Sequence, residues 1–228
     1  MNFAGFDRNA IALLAILPAL ERPVYDELRG TLVAGLLTPE AALIEQVVQL
    51  LGVPLTVKAG SSISPLHTDL RFAAPGAPRY KDHLLMTAWH GPDKKTGPTL
   101  WIRVDTGGVG FASGTLFSPA ARQRWRDAVA GPAGAELAGT IAELAQRHRA
   151  DNFDVAGELL KNVPSPWATN HPRADLLRRT GFQLRFSQAL PSLIDSPAFA
   201  PWCVDRLREL LPVHQWLVRE IYREADAT

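Results

Sequence analysis

The chain has 228 residues, 24 Lys+Arg against 23 Asp+Glu, and one cysteine. Its length suits one large domain or two small ones, and 46% hydrophobic with 21% charged residues is a globular composition, which excludes wholesale disorder. A formal charge of +1 argues against a protein built chiefly to hold phosphate backbones, and a lone cysteine excludes an intramolecular disulfide framework and a Cys-only zinc site.

Residues 1–53 read as helical. Asp7 is placed to cap a helix carrying Ile11, Leu14 and Leu17 on one side. A second helix is expected from about Pro23 to Leu37, with Tyr25, Leu28 and Leu32 on one face. Thr38-Pro39-Glu40 reads as a fresh helix start, and Gly52 as its left-handed stop. The apolar run Ile11–Leu20 follows an acidic residue, is interrupted by Pro18 and is too short to span a bilayer. No other stretch qualifies on that reading. The expectation is a cytoplasmic protein with no membrane partner.

From 54 to 117 the pattern changes to strands. Leu55–Val57 and Thr68–Phe72 alternate, the latter placing Asp69 and Arg71 on one face and Leu70 and Phe72 on the other. His83–His90 is strand-like. Leu100–Asp105 alternates cleanly, with Leu100, Ile102 and Val104 inward and Trp101, Arg103 and Asp105 outward. Thr106–Val109 reads as a hairpin turn into Gly110–Phe117. Successive hairpins imply an antiparallel meander with one face open to solvent or ligand. From 118 to 228 helices return: one opened by Ser118-Pro119, one over Ala133–Arg149, a short one over Pro172–Thr180, and a last from Pro201 to Glu224, bent at Pro212. Phe182–Phe186 is a candidate returning strand. The expected fold class is α+β, one domain over 1–228, with a mostly antiparallel sheet packed against N-terminal and C-terminal helices.

Recognisable chemistry is sparse. The six histidines show no metal-ligand spacing, and His83 and His90 lie on opposite faces of a regular strand, so no metal site is expected. Ser113 lies on a hairpin strand rather than in a nucleophile elbow. Cys203 opens an apolar helix and reads as core. The best constellation is polar residues at strand positions: Asp69, Arg71, Lys81, His83, Arg103 and Asp105. Charges at every second strand residue mean either a wet sheet face carrying ion pairs or a binding surface. On the second reading Arg71 and Arg103 grip an anion. Asp69 then orients an arginine or takes a proton, and His83 supplies the side-chain type that shuttles protons near neutrality.

At these same residues the chain resembles the domain-of-unknown-function 2461 family, a group of conserved hypothetical bacterial proteins. Asp69-Leu70-Arg71-Phe72 is similar to the family's R-D-x-R-F segment, and Pro78-Arg79-Tyr80-Lys81-Asp82-His83 to its P-Y-K-x-H. Asp105-Thr106-Gly107-Gly108 matches the acidic Gly-Gly turn, Gly114–Pro119 loosely the next strand end, and His171-Pro172 to Phe182 the later H-P motif. Thr68 stands where the family carries arginine, and Ala73–Ala77 where it carries lysines, so part of its basic cluster is missing. The resemblance implies no established activity. It implies that Asp69, Arg71, Tyr80, Lys81 and His83 fall in a family signature.

The reading that follows is a protein that binds an anionic or polar small molecule at the sheet face. Asp69 and His83 are the acid–base candidates, and Arg71, Tyr80, Lys81, Trp101 and Arg103 the binding candidates. No cofactor is called for, and a role in specialised metabolism fits the missing basic residues. Two other classes stay open. A nucleic-acid module would stack bases on Trp101 and Tyr80, but the near-zero charge disfavours it. A protein-interaction domain would use the last helix, with Trp202 and Trp216. Oligomeric state is not legible in the sequence.

Overall fold

In three consecutive strands apolar side chains fall at every second position, and together they make one face of a sheet. Leu84, Met86 and Ala88 on β1 (His83–Trp89), Leu100, Ile102 and Val104 on β2 (Thr99–Asp105), and Val109 and Phe111 on β3 (Gly108–Leu116) are all buried. Met86 pairs with Ile102 and Ile102 with Phe111, so these residues line up in rows across the strands. The β2–β3 hairpin closes on Asp105, whose Oδ1 accepts from the amides of Gly107 at 2.9 Å and Gly108 at 3.0 Å. β4 (Asp154–Ala156) and β5 (Gly181–Gln188) complete the sheet in the order β1-β2-β3-β5-β4, with every pair antiparallel. The strand expected at Phe182–Phe186 is the centre of β5. This computed structural model describes residues 2–224.

The helices are α1 (Arg8–Leu13), α2 (Arg22–Leu32), α3 (Thr38–Leu51), α4 (Pro119–Ala130), α5 (Pro132–Arg147), α6 (Ala174–Leu177) and α7 (Phe199–Glu220). α7 lies across β2 and β3 and also meets α3 and α5. Its buried side includes Cys203, Leu207, Leu210 and Val213, each worth about 2 kcal/mol of transfer where a large side chain is fully buried. Burial also raises the Cys203 thiol well above its ordinary value, which makes it inert. The fold is α+β.

The caps read from the sequence are present. Asp7 accepts from the amides of Asn9 and Ala10, Ser118 from that of Ala121, and Gly52 stands at φ 68°. Thr38-Pro39 departs from expectation. The chain is already helical there, and Thr38 makes no capping bond; a π-helical segment, Val33–Leu37, joins α2 to α3. Pro39 has no N–H to donate one turn back. The Gly35 carbonyl accepts instead from the Asp7 amide at 3.1 Å, which ties the N-terminus to this helix. Gly35 permits the approach, because a β-carbon there would lie 2.6 Å from that of Ala10. The run Arg22–Leu51 is therefore one stretch, long and apolar enough by length and composition to cross a membrane, with 44% of its most apolar window buried in the fold. Splitting it at Thr38 hides that length in the sequence.

Two expected strands do not form. Thr68–Phe72 is a loop and turn, with Leu70 50% and Phe72 85% exposed. Leu55–Val57 contributes one bridge, Thr56 to Trp89. The physical reason is a shortage of partners. The outer edge of β1 is already bonded by the irregular segment 56–64, through Thr56–Trp89, Ser62–Thr87 and Ser64–Leu85 contacts. Alternation without a neighbouring strand has nothing to pair with. The Pro172–Thr180 helix shortens to α6.

Candidate functional site

The alternation that buries Ile102 and Phe111 turns Trp101, Arg103 and Asp105 to the opposite face. Register then builds that face in rows. Trp101 pairs with Ala112 and Ala112 with Arg185, which pairs with Asp154; Arg103 pairs with Gly110 and Gly110 with Ser187. Arg103 and Arg185 thus stand diagonally across β3, on strands about 10 Å apart. Between them lies a groove of ≈ 1040 Å³ lined by Trp101, Arg103, Asp105, Gly110, Asp154 and Arg185, among others.

The floor is glycine-rich for two different reasons. A β-carbon on Gly108 would come within 2.2 Å of a main-chain oxygen on β5, so packing demands that glycine. On Gly110 the nearest atom would be Arg103 Cβ at 3.7 Å, an ordinary contact. The fold would accept a side chain at 110, and its absence keeps the groove deep.

The charges along the walls are paired. Arg103 Nε donates to Asp105 at 3.0 Å and its Nη2 to Asp82 at 3.5 Å. Arg185 donates twice to Asp154 Oδ2, at 3.1 Å and 2.8 Å. Two arginines face three aspartates along the lining, Asp105, Asp151 and Asp154. A strong anion would have to displace a carboxylate already bound, so the groove suits a polar ligand of low net charge.

One end of the face carries an imidazole. His83 is placed by β1 opposite Asp105, and its Nδ1 lies 2.6 Å from Asp82 Oδ1. The His83 contact, ahead of burial effects, holds the Asp82 carboxyl below the ordinary range. Asp82 therefore orients His83 and reaches Arg103, linking three side chains.

The remaining candidates lie elsewhere. Asp69 and Arg71 form a local ion pair in an exposed turn, with Nη2–Oδ2 2.7 Å and Nε–Oδ1 2.9 Å. Tyr80 is buried and stacks on Tyr25 at 3.9 Å, with His67 edge-on to both. These three residues line a second cleft, between α2 and the 65–80 segment. Lys81 turns inward, its Nζ donating to Ser64 Oγ at 2.6 Å and the Pro65 carbonyl at 2.8 Å. The structure thus brings His83, Trp101 and Arg103 to one face and separates them from Asp69, Arg71, Tyr80 and Lys81.

Sequence reasoning missed Arg185, Asp154 and Asp82. Gln183, Arg185 and Ser187 alternate on β5 as Trp101, Arg103 and Asp105 do on β2, and that signal was available. Glu40 was missed too. It is completely buried at the start of α3, and neither carboxylate oxygen has a well-formed hydrogen bond. Burial raises it to about 8, against the opposing pull of the Leu85 amide and the Lys81 charge. Behind the groove, His148 is buried against Phe186, with Nδ1 2.9 Å from Asp151 Oδ2 and Nε2 3.2 Å from Glu209 Oε2. It ties the end of α5 to α7 and to the chain entering β4.

Fold and groove define an α+β protein in which helices cover one face of an antiparallel sheet and the other forms the wall of an open groove. The chain belongs to the family described as Conserved hypothetical protein (DUF2461), whose family model matches residues 22–216. The match spans every strand and most of the helical layer, as the resemblance in the motifs implied. No curated protein and no solved structure matches the chain.

Proposed function

We propose that the groove binds a small polar organic molecule with a planar part, and that His83, oriented by Asp82, exchanges a proton with it. The observation that carries this reading is Gly110, a floor position left without a side chain although the fold has room for one. Trp101 offers a flat surface beside that floor, and the paired Arg103 and Arg185 offer fixed donors on either side. Paired guanidiniums favour a ligand with hydrogen-bond acceptors and little net charge over a dianion. His83 takes the acid–base role alone, since Asp69 lies at the second cleft. Such a site fits a cofactor-independent enzyme of specialised metabolism. A bacterial cytoplasm is the setting we assign, supported by the single buried cysteine.

Native mass spectrometry of gently purified protein, set against its denatured mass, tests the reading. A discrete excess mass is expected in the wild type and absent in Gly110→Leu at equal stability. An excess mass retained by Gly110→Leu would put the ligand elsewhere and end this proposal.

A further inference from the structure

The second cleft has the opposite electrostatic character. It encloses ≈ 610 Å³ between α2 and the 65–80 segment. Arg22, Asp26 and Arg29 recur at helical spacing on one face of α2, while Asp69, Arg71 and Arg79 come from the facing segment. Four arginines therefore meet two aspartates. Each aspartate already has its arginine: Asp26 lies 3.5 Å from Arg22, and Asp69 holds Arg71 at 2.7 Å. Among the described residues, the guanidiniums of Arg29 and Arg79 have no hydrogen-bond or ion-pair partner.

The backing is rigid. Tyr25 and Tyr80 stack with 2° between their planes, and both are buried. Arg29 follows Tyr25 by one helical turn and Arg79 adjoins Tyr80, so the two free cations come to the cleft from its two walls. Arg29 also lies close enough for its charge to act on the Tyr25 hydroxyl. Both guanidiniums line the one cleft without a carboxylate of their own, so an oxyanion seated there would meet two free positive charges.

We infer that this cleft is a second binding site, for a small molecule carrying a phosphate or diphosphate group, with Arg29 and Arg79 as its principal ligands. Guanidinium donors match phosphate oxygens in bidentate geometry, and two facing guanidiniums favour a group with more than one charged oxygen. The site is distinct from the groove, and stands or falls independently of the function proposed there.

The test is calorimetric titration of the full chain with pyrophosphate. Saturable binding is expected, weakening as salt rises. The double variant Arg29→Gln/Arg79→Gln should bind about tenfold or more weakly, the loss expected for charge-assisted hydrogen bonds. Both side chains are exposed, and an unchanged circular dichroism melt will show that the variant folds. Absence of saturable binding, or equal affinity in the double variant, would overturn the inference. So would loss of pyrophosphate binding in Arg103→Gln, which would put the anion in the groove.

Discussion

The two clefts are built from the same residue types and differ in what the arginines do. In the groove Arg103 and Arg185 stand on either side of β3, and each has a carboxylate beside it: Asp105 two residues along the same strand for Arg103, and Asp154, set by register, for Arg185. In the second cleft two arginines have such a partner and two do not. A guanidinium already paired serves as an oriented donor, whereas an unpaired one is a free charge. The segment Arg79–His83 serves both regions in five residues. Arg79 and Tyr80 face the second cleft, Lys81 turns toward the buried Glu40, and Asp82 with His83 ends at the sheet face.

The largest effect that would break this comparison is steric. Gly110→Trp should abolish ligand retention in the groove and leave pyrophosphate titration unchanged. If both are lost, the clefts are not independent.

Next comes the brace behind the groove. His148→Ala removes a buried ring that contacts both Asp151 and Glu209 and opens a space against Phe186. It should cost about 3 kcal/mol in urea unfolding, the magnitude of a broken buried polar pair. A loss below about 1 kcal/mol would mean that water replaces the ring at little cost.

A pH series probes the buried interior that backs the sheet. Glu40 is raised from 4.5 to about 8 by burial, so the folded state keeps a proton that the unfolded chain sheds. Stability from this group falls as pH rises from 4.5 to about 8. His214 runs the other way. Burial, with the charge of His90, lowers it from 6.5 to about 4, so its contribution rises with pH between those values. The two offset each other below pH 6.5, and the fall from Glu40 should emerge between 6.5 and 8, at no more than about 1.4 kcal/mol per pH unit. Glu40→Gln should flatten that limb and uncover the rise from His214 below pH 6.5. An unchanged limb in the variant would assign the slope to another group.

The smallest effect is expected at Asp69 and Arg71. Both are exposed, and their ion pair is local to one turn. Asp69→Asn or Arg71→Gln should leave the melting temperature unmoved. Arg71→Gln should weaken pyrophosphate binding less than Arg79→Gln does, because Arg71 already has a carboxylate.

The groove was partly legible in the sequence. Trp101, Arg103 and Asp105 were placed on one face by parity, and His83 falls on the same face by the same rule. Asp69 and Arg71 alternate with Leu70 and Phe72 as a strand would, yet they sit in a turn. A local pattern cannot report that no strand edge is free to receive it.

The sequence by itself determined the α+β class, the β2–β3 hairpin, the caps at Asp7, Ser118 and Gly52, and which β2 side chains point away from the core. Each depends on backbone geometry and on neighbours within a few residues. Only the tertiary structure decided that Arg185 pairs with Asp154, that Glu40 is buried without a well-formed partner, and that Arg71 and Arg103 belong to different clefts. Those outcomes depend on register and on contacts between segments far apart in the chain, and no periodicity within one segment carries that information.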